Sequence, residues 1–347
     1  MKFLVVGLGS MGKRRVRNLL RLGHSEIAGV DPRPDRREEA VGKYGIATFA
    51  TFKDGMSWGP DALIISTPPN MHMSFANTAV ASGKHFFCEA STSTAGMLEV
   101  LRLARQNSVV AAPSCTMRYH PSVQKLKQLV TSGEIGAVLS YTHHAGQWLP
   151  DWHPAEDYRK FYVCQRETGA CREIVPFELT WLNWVIDSAI NRVTAMKSKL
   201  SNLECDIDDV YHLVMQHESG AIGHLQIDVL ARFPVRHCRI LGTDGVLEWS
   251  ITERAVRHYR ADTRAWTSFN ESVPRVEQGY SEMSNEVMYE AEIGAYIDAI
   301  CGRSAWSNPL EDDIATLEIL LAAERASDSG ATERLVKGEV GSAWQPG

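Results

Sequence analysis

At 347 residues the chain is long enough for two domains with separate cores, and its 44% hydrophobic and 22% charged content is that of an ordinary globular protein. A net charge of −6 argues against non-specific nucleic-acid binding, which needs a basic excess, and no run approaches the ~18 apolar residues of a membrane span. Seven scattered cysteines (Cys88, Cys115, Cys164, Cys171, Cys205, Cys238, Cys301) with no C-x-x-C pair read as buried thiols, and an N-terminus that runs straight into a strand is no leader, so the reading is a cytoplasmic chain without a metal.

Phe3 to Val6 is a short apolar run of the kind that makes a fully buried parallel strand. It leads into Gly7-Leu8-Gly9-Ser10-Met11-Gly12 and then a helical stretch, Lys13 to Leu22, closed by Gly23. The first glycine allows the tight turn, the second lets a pyrophosphate approach the backbone, and the third lets helix and strand pack closely. A second buried run, Glu26 to Val30, ends in Asp31, where a carboxylate about 20 residues past the glycines is placed to accept from an adenosine ribose. Strand, glycines, helix, strand and terminal acid in this order predict a dinucleotide-binding unit.

Ala62 to Ile65 is the next buried strand, ending in Ser66-Thr67-Pro68-Pro69-Asn70-Met71-His72. Prolines at a strand's C-terminal edge cannot continue the ladder, so the chain turns at the crevice where open α/β sheets bind ligands. A helix (Met73 to Ser82), a strand (His85 to Cys88) running into Glu89-Ala90-Ser91, a helix (Thr94 to Gln106) and a strand (Val109 to Ala112) complete a doubly wound domain over residues 1–117.

The pattern then changes. A helix from Pro121 to Ser132 and a strand from Val138 to Ala145 precede a loop rich in aromatic and polar residues, Trp148 to Thr168, and a helix ending near Asp187. Val210 to His217 and Ala221 to Leu230 are split by Glu218-Ser219-Gly220; His237 to Leu241 and Val246 to Ile251 by Gly242-Thr243-Asp244-Gly245; both are hairpin signals. Half-polar alternation in hairpins predicts a large, mainly antiparallel open sheet with one covered face. Two late helices, Asn285 to Ile300 and Leu310 to Asp328, complete an α+β domain placed at residues 118–347. The fold class is α/β, a Rossmann doubly wound parallel sheet followed by this α+β domain.

The segments Gly7-Leu8-Gly9-Ser10-Met11-Gly12, Ser66-Thr67-Pro68-Pro69-Asn70-Met71-His72, Glu89, Arg118-Tyr119-His120-Pro121, Gly133-Glu134-Ile135-Gly136, Leu241-Gly242-Thr243-Asp244-Gly245 and Tyr296-Ile297-Asp298-Ala299-Ile300 occur in an order that resembles the glucose–fructose oxidoreductase, inositol dehydrogenase and MocA family over essentially the whole chain. The resemblance implies a nicotinamide cofactor, a sugar, sugar-nucleotide or cyclitol substrate, and homodimers or homotetramers built on the second domain's sheet. Carried over to this chain, Gly7, Gly9, Ser10, Met11, Gly12, Asp31, Ser66, Thr67, Pro68, His72 and Glu89 are the expected cofactor residues. Asp31 favours NAD, while Arg33, Arg36 and Arg37 keep NADP open.

Three positions depart from that family. Its members carry Glu-Lys-Pro where this chain has Glu89-Ala90-Ser91, and a helix with Asp-x-x-His where this chain aligns Ile174 and Phe177. The usual proton carriers are therefore replaced by side chains that move no proton. Candidates for a substituted relay are His153, whose imidazole needs little tuning to work near neutrality, with Tyr158 and Glu173; His144 and His120 compete. Arg118, Trp148, Trp152, Tyr162 and Arg172 are the candidate substrate contacts, aromatic faces for the C–H surface of a sugar and guanidinium forks for carboxylate or phosphate. Arg172, Glu173 and Glu178 read as three charges at one helix start, and Trp181, Leu182, Trp184 and Val185 as core or subunit contact. The expected function is oxidation of a secondary alcohol, or reduction of a ketone, on a sugar-like substrate. The alternatives are transient oxidation by bound NAD, giving epimerisation or elimination, and a non-catalytic dinucleotide- and sugar-binding subunit.

Overall fold

A computed structural model describes residues 1–152, 157–272, 275 and 285–335. The chain forms two compact units, one from residues 1–116 and 287–314, the other from residues 117–286 and from 315 onward.

The first unit is built on β1 (Phe3–Val6), α1 (Ser10–Arg21), β2 (Ile27–Val30), α2 (Pro34–Tyr44), β3 (Ala47–Phe49), α3 (Phe52–Ser57), β4 (Ala62–Ile65), α4 (His72–Ala81), β5 (His85–Cys88), α5 (Met97–Gln106) and β6 (Ala111–Pro113). Its six strands run parallel in the order β3-β2-β1-β4-β5-β6, so the chain winds outward from β1 in both directions. Every residue of β1, β2 and β4 is buried, as strands covered on both faces require. The reversal of direction at β1 and β4 makes their C-terminal ends the switch point where such sheets bind ligands.

The second unit holds α6 (Pro121–Thr131), β7 (Val138–Gly146), α7 (Ala170–Ile186), β8 (Ile190–Ser198), β9 (Val210–His217), β10 (Ile222–Asp228), β11 (Val235–Gly242), β12 (Gly245–Ser250), β13 (Ala255–Arg260) and β14 (Ala265–Asn270). After these come α8 (Glu286–Ile300), α9 (Leu310–Ser329) and the short β15 (Glu333–Arg334). The nine strands stand in the order β14-β13-β12-β11-β7-β10-β9-β8-β15. Every pairing is antiparallel except β7 with β10. Both expected hairpins form, β9–β10 and β11–β12; β13–β14 adds a third.

α7 packs on the middle of this sheet. Trp181, Leu182 and Val185 are fully buried there, and Trp181 meets Trp249 of β12 edge to face at 5.6 Å. Cross-strand rows on the opposite face, such as Met196–His212–Gln226–His144, stay open.

Two expectations are corrected. The second domain was placed at 118–347, yet residues 287–314 pack into the first unit. The Tyr296 hydroxyl donates to the Leu63 carbonyl at 3.3 Å, the Trp306 indole donates to the Pro113 carbonyl at 3.1 Å, and Trp306 meets Phe87 edge-on. The cysteines are not all thiols: Cys164 and Cys205 form a disulfide with Cα atoms 4.7 Å apart, while Cys88, Cys115, Cys171 and Cys238 are buried thiols.

Candidate active site

The glycine turn between β1 and α1 admits no other residues at its two ends. Gly7 has φ +91°, a left-handed conformation, and a Cβ on Gly12 would lie 1.7 Å from the Gly7 carbonyl oxygen. Ser10 and Met11 open α1, and Gly9 before them offers no side-chain cap, so the helix presents its first turn of backbone amides at the loop. Asp31, 2% exposed at the end of β2, sits behind the turn and accepts from the Leu8 amide at 2.9 Å and the Arg33 amide at 2.9 Å. Arg36 bonds the Asp31 carboxylate at 3.3 Å, Arg37 donates to the carbonyls of Asp31 and Pro32 at 2.7 and 2.9 Å, and Arg33 pairs with Asp35. Each of the three arginines that would welcome a 2′-phosphate thus has a partner of its own. A narrow glycine cradle with a buried acid behind it fits NAD.

His72 ties down the turn after β4. Its Nε2 lies 2.8 Å from the Thr67 carbonyl, which assigns the hydrogen to that nitrogen, and its Nδ1 faces the Ser91 hydroxyl at 3.1 Å. Burial pushes its pKa down to about 4 although the Thr67 carbonyl and Glu89 pull the other way, so the ring is neutral at pH 7. It shapes the Ser66-Thr67-Pro68 backbone beside the cofactor turn.

Glu89, at the end of β5, accepts from the Arg15 guanidinium at 2.7 and 2.9 Å and from the Ser66 hydroxyl at 3.2 Å. Arg15 is fully buried on the inner face of α1, where it also pairs with Glu292 at 2.9 Å. Glu292 is fully buried too and takes the Ser114 and Thr116 hydroxyls and the Cys115 amide. Burial alone would lower the Arg15 pKa, but the two carboxylates outweigh it and hold the guanidinium firmly charged. Burial and Glu89 push the Glu292 carboxyl up against the pull of Arg15. A charged residue at a core position of α1 was a visible signal; its partners in α8 and β5 were not.

In the second unit, two candidates come together at the entry to α7: the Tyr162 hydroxyl donates to Glu173 Oε1 at 3.3 Å. Arg172 is committed elsewhere, holding Glu324 of α9 with two nitrogens at 2.7 and 3.1 Å and donating to the Glu167 carbonyl. The Tyr158 oxygen lies 3.5 Å from the Glu204 amide. Arg118, buried, donates to the Thr180 carbonyl at 3.1 Å. The Trp148 ring is covered by the Arg232 guanidinium at 3.5 Å, and the Trp152 indole donates to the Gln147 carbonyl. His153 lies outside the described residues. Of its competitors, His144 donates to Asp228 at 2.7 Å; His120 packs on Trp249, and burial, helped by Arg236, lowers its pKa to about 4.

Glu178 does not share the helix start with Arg172 and Glu173. It is fully buried on the sheet side of α7, where it meets His143 Nε2 at 2.9 Å, the Trp181 indole at 2.6 Å and Arg236 at 2.7 and 3.0 Å. Burial would raise its pKa, but Arg236 and His143 overcome that and bring it down to about 2. Arg236 had no local signal, since its partner lies 58 residues away in the sequence.

Among the described residues no group of three metal-ligating side chains occurs, and no helix is long and apolar enough to cross a membrane. Family models for the NAD-binding Rossmann fold of an oxidoreductase family match residues 1–114, and for the GFO/IDH/MocA C-terminal domain residues 123–248. An inositol 2-dehydrogenase of Burkholderia lata is 24% identical over 96% of each chain, and inositol 2-dehydrogenase 3 of Saccharopolyspora erythraea is 21% identical over 94% of this chain and 93% of its own. Among solved structures, an Agrobacterium radiobacter oxidoreductase in complex with NAD+, L-tartaric acid and magnesium superposes with a TM-score of 0.85 at 17% identity, covering 96% of this chain and 98% of its own. A levoglucosan dehydrogenase in complex with NADH and levoglucosan gives 0.82 at 17% identity over 97% and 100%.

Proposed function

Since the chain belongs to the GFO/IDH/MocA family and is an NAD-dependent oxidoreductase, we propose that it interconverts a secondary alcohol and a ketone on a sugar-like or cyclitol substrate, with a proton relay through Tyr162 and Glu173. The observation that carries the redox reading is the glycine cradle backed by buried Asp31. NAD, when bound, supplies the hydride acceptor. The protein's own task is then the hydroxyl proton, which passes to the Tyr162 oxygen as Tyr162 gives its proton to Glu173. A carboxylate at the first turn of α7 is favoured as an anion by the helix N-terminus, which keeps Glu173 an acceptor for the Tyr162 hydroxyl while weakening it as a base, so Glu173 holds the proton only transiently. Tyr162 lies on the same loop as Trp152, and aromatic side chains suit the C–H surface of a sugar ring.

The test is to titrate NAD and NADP and follow reduced-nicotinamide absorbance with a panel of sugars, sugar acids and cyclitols. NAD binds more tightly than NADP, and Asp31→Ser narrows the difference, because the buried carboxylate repels a 2′-phosphate. Tighter NADP binding would overturn the cofactor assignment, and NAD binding without turnover on any of the panel would favour a non-catalytic subunit.

A second copy of the chain is proposed to cover the open sheet face, supported by the exposure there of Met196 (78%), Ile222 (51%) and Val214 (49%). Light scattering should give a dimer or tetramer mass that Met196→Glu lowers; a monomeric wild type would discard the idea.

A further inference from the structure

Arg236 opens β11 on the face of the sheet that α7 covers, beside Ala145 of β7. Two of its three guanidinium nitrogens are spent on one oxygen of Glu178, Nε at 3.0 Å and Nη2 at 2.7 Å. The other Glu178 oxygen takes His143 and Trp181, so the carboxylate is held from several sides in a fully buried place and cannot swing. The guanidinium it holds is fixed in turn. Nη1 has no acceptor among the described residues, and the side chain keeps 20% exposure. The edge formed by Nη1 and the second hydrogen of Nη2 is therefore a rigid, unfilled fork. It also lies on the side of α7 that matters here: the guanidinium is 5.9 Å from the Phe177 ring, and Phe177 stands one helical turn after Glu173, on the same helix face.

We propose that Arg236 is the specificity-determining residue of the substrate site and that its free edge binds a carboxylate, so the chain acts on sugar acids in preference to neutral sugars. This rests on the sugar-type oxidoreductase reading above. A planar fork with two parallel N–H donors matches a carboxylate, and charge-assisted bonds in a mostly desolvated place are about twice as strong as those to a neutral diol. Glu178 positions the fork and touches no substrate.

The experiment titrates NADH-loaded protein calorimetrically with glucuronate and gluconate against glucose and myo-inositol, using wild type, Arg236→Gln and Arg236→Lys. Wild type binds at least one acid about 10–100-fold more tightly than its neutral counterpart, the worth of a charged hydrogen bond or two. Arg236→Gln erases that ratio. Arg236→Lys, which keeps a cation against Glu178 and so protects folding, retains only part of it. A wild type that binds no acid, or binds neutral sugars equally well, overturns the proposal, as does a ratio that survives in Arg236→Gln. Binding is read apart from turnover: acid binding that depends on Arg236 but is never followed by NAD reduction would count against the oxidoreductase reading and leave the carboxylate fork standing.

Discussion

Glu173→Gln lowers turnover by about 10²–10⁴, the loss expected when a general acid–base is removed, and leaves NAD affinity unchanged. The carboxylate that receives the Tyr162 hydroxyl hydrogen is replaced by an amide of the same shape, so binding surfaces persist while the proton's destination is lost. Tyr162→Phe falls to a similar level, and the double change falls little further, because two members of one relay fail as a unit. Initial rates of NAD reduction, with NAD affinity measured separately by fluorescence quenching, decide the matter. Full activity in Glu173→Gln combined with loss in His153→Ala would move the proton acceptor to His153.

The largest stability effect belongs to Arg15. Its guanidinium sits between Glu89 and Glu292 with no exposure, and the face of Phe87 lies 4.6 Å from it. Arg15→Met leaves two carboxylates facing each other without their shared cation, a change that typically costs about 3–5 kcal/mol. Urea unfolding should show that loss. Adding Glu292→Gln restores part of it, since the neutral amide still accepts from Ser114, Thr116 and the Cys115 amide. A single variant within about 1 kcal/mol of wild type would show that Arg15 is dispensable and that the carboxylates protonate at little cost.

What was legible in the sequence was local. The cofactor turn is written in residues 3–31, because the strand, its glycines and its acid are near neighbours and each has one steric or electrostatic job. Hairpins β9–β10 and β11–β12 were legible for the same reason, as short turns between alternating strands. The site in the second unit was only half legible. Tyr162 and Glu173 are 11 residues apart and were both named, but the Tyr158 ring turned to Glu204 and Arg172 to Glu324, partners 46 and 152 residues distant. Glu178 reads from the sequence as one of three charges at a helix start because Arg172 and Glu173 are its near neighbours in the chain; the three groups that neutralise and bond it come from β7, α7 itself and β11. The Cys164–Cys205 bond, spanning 41 residues, followed no spacing rule. Long-range pairing of polar groups is what a single sequence does not display.

The return of residues 287–314 to the first unit bears on how the protein is made. A growing chain that has just released residue 116 carries all six strands of the parallel sheet and the whole glycine turn, yet lacks Glu292, Tyr296 and Trp306. At typical elongation rates of roughly 5–20 residues per second, the missing helix follows only after about 10–40 s. Through that interval Arg15 has one of its two carboxylates, and the Ser114–Thr116 donors have none of their acceptor. The nucleotide-binding half is thus begun first and finished late, and its maturation on the ribosome waits for residues 117–286 of the second unit to be made.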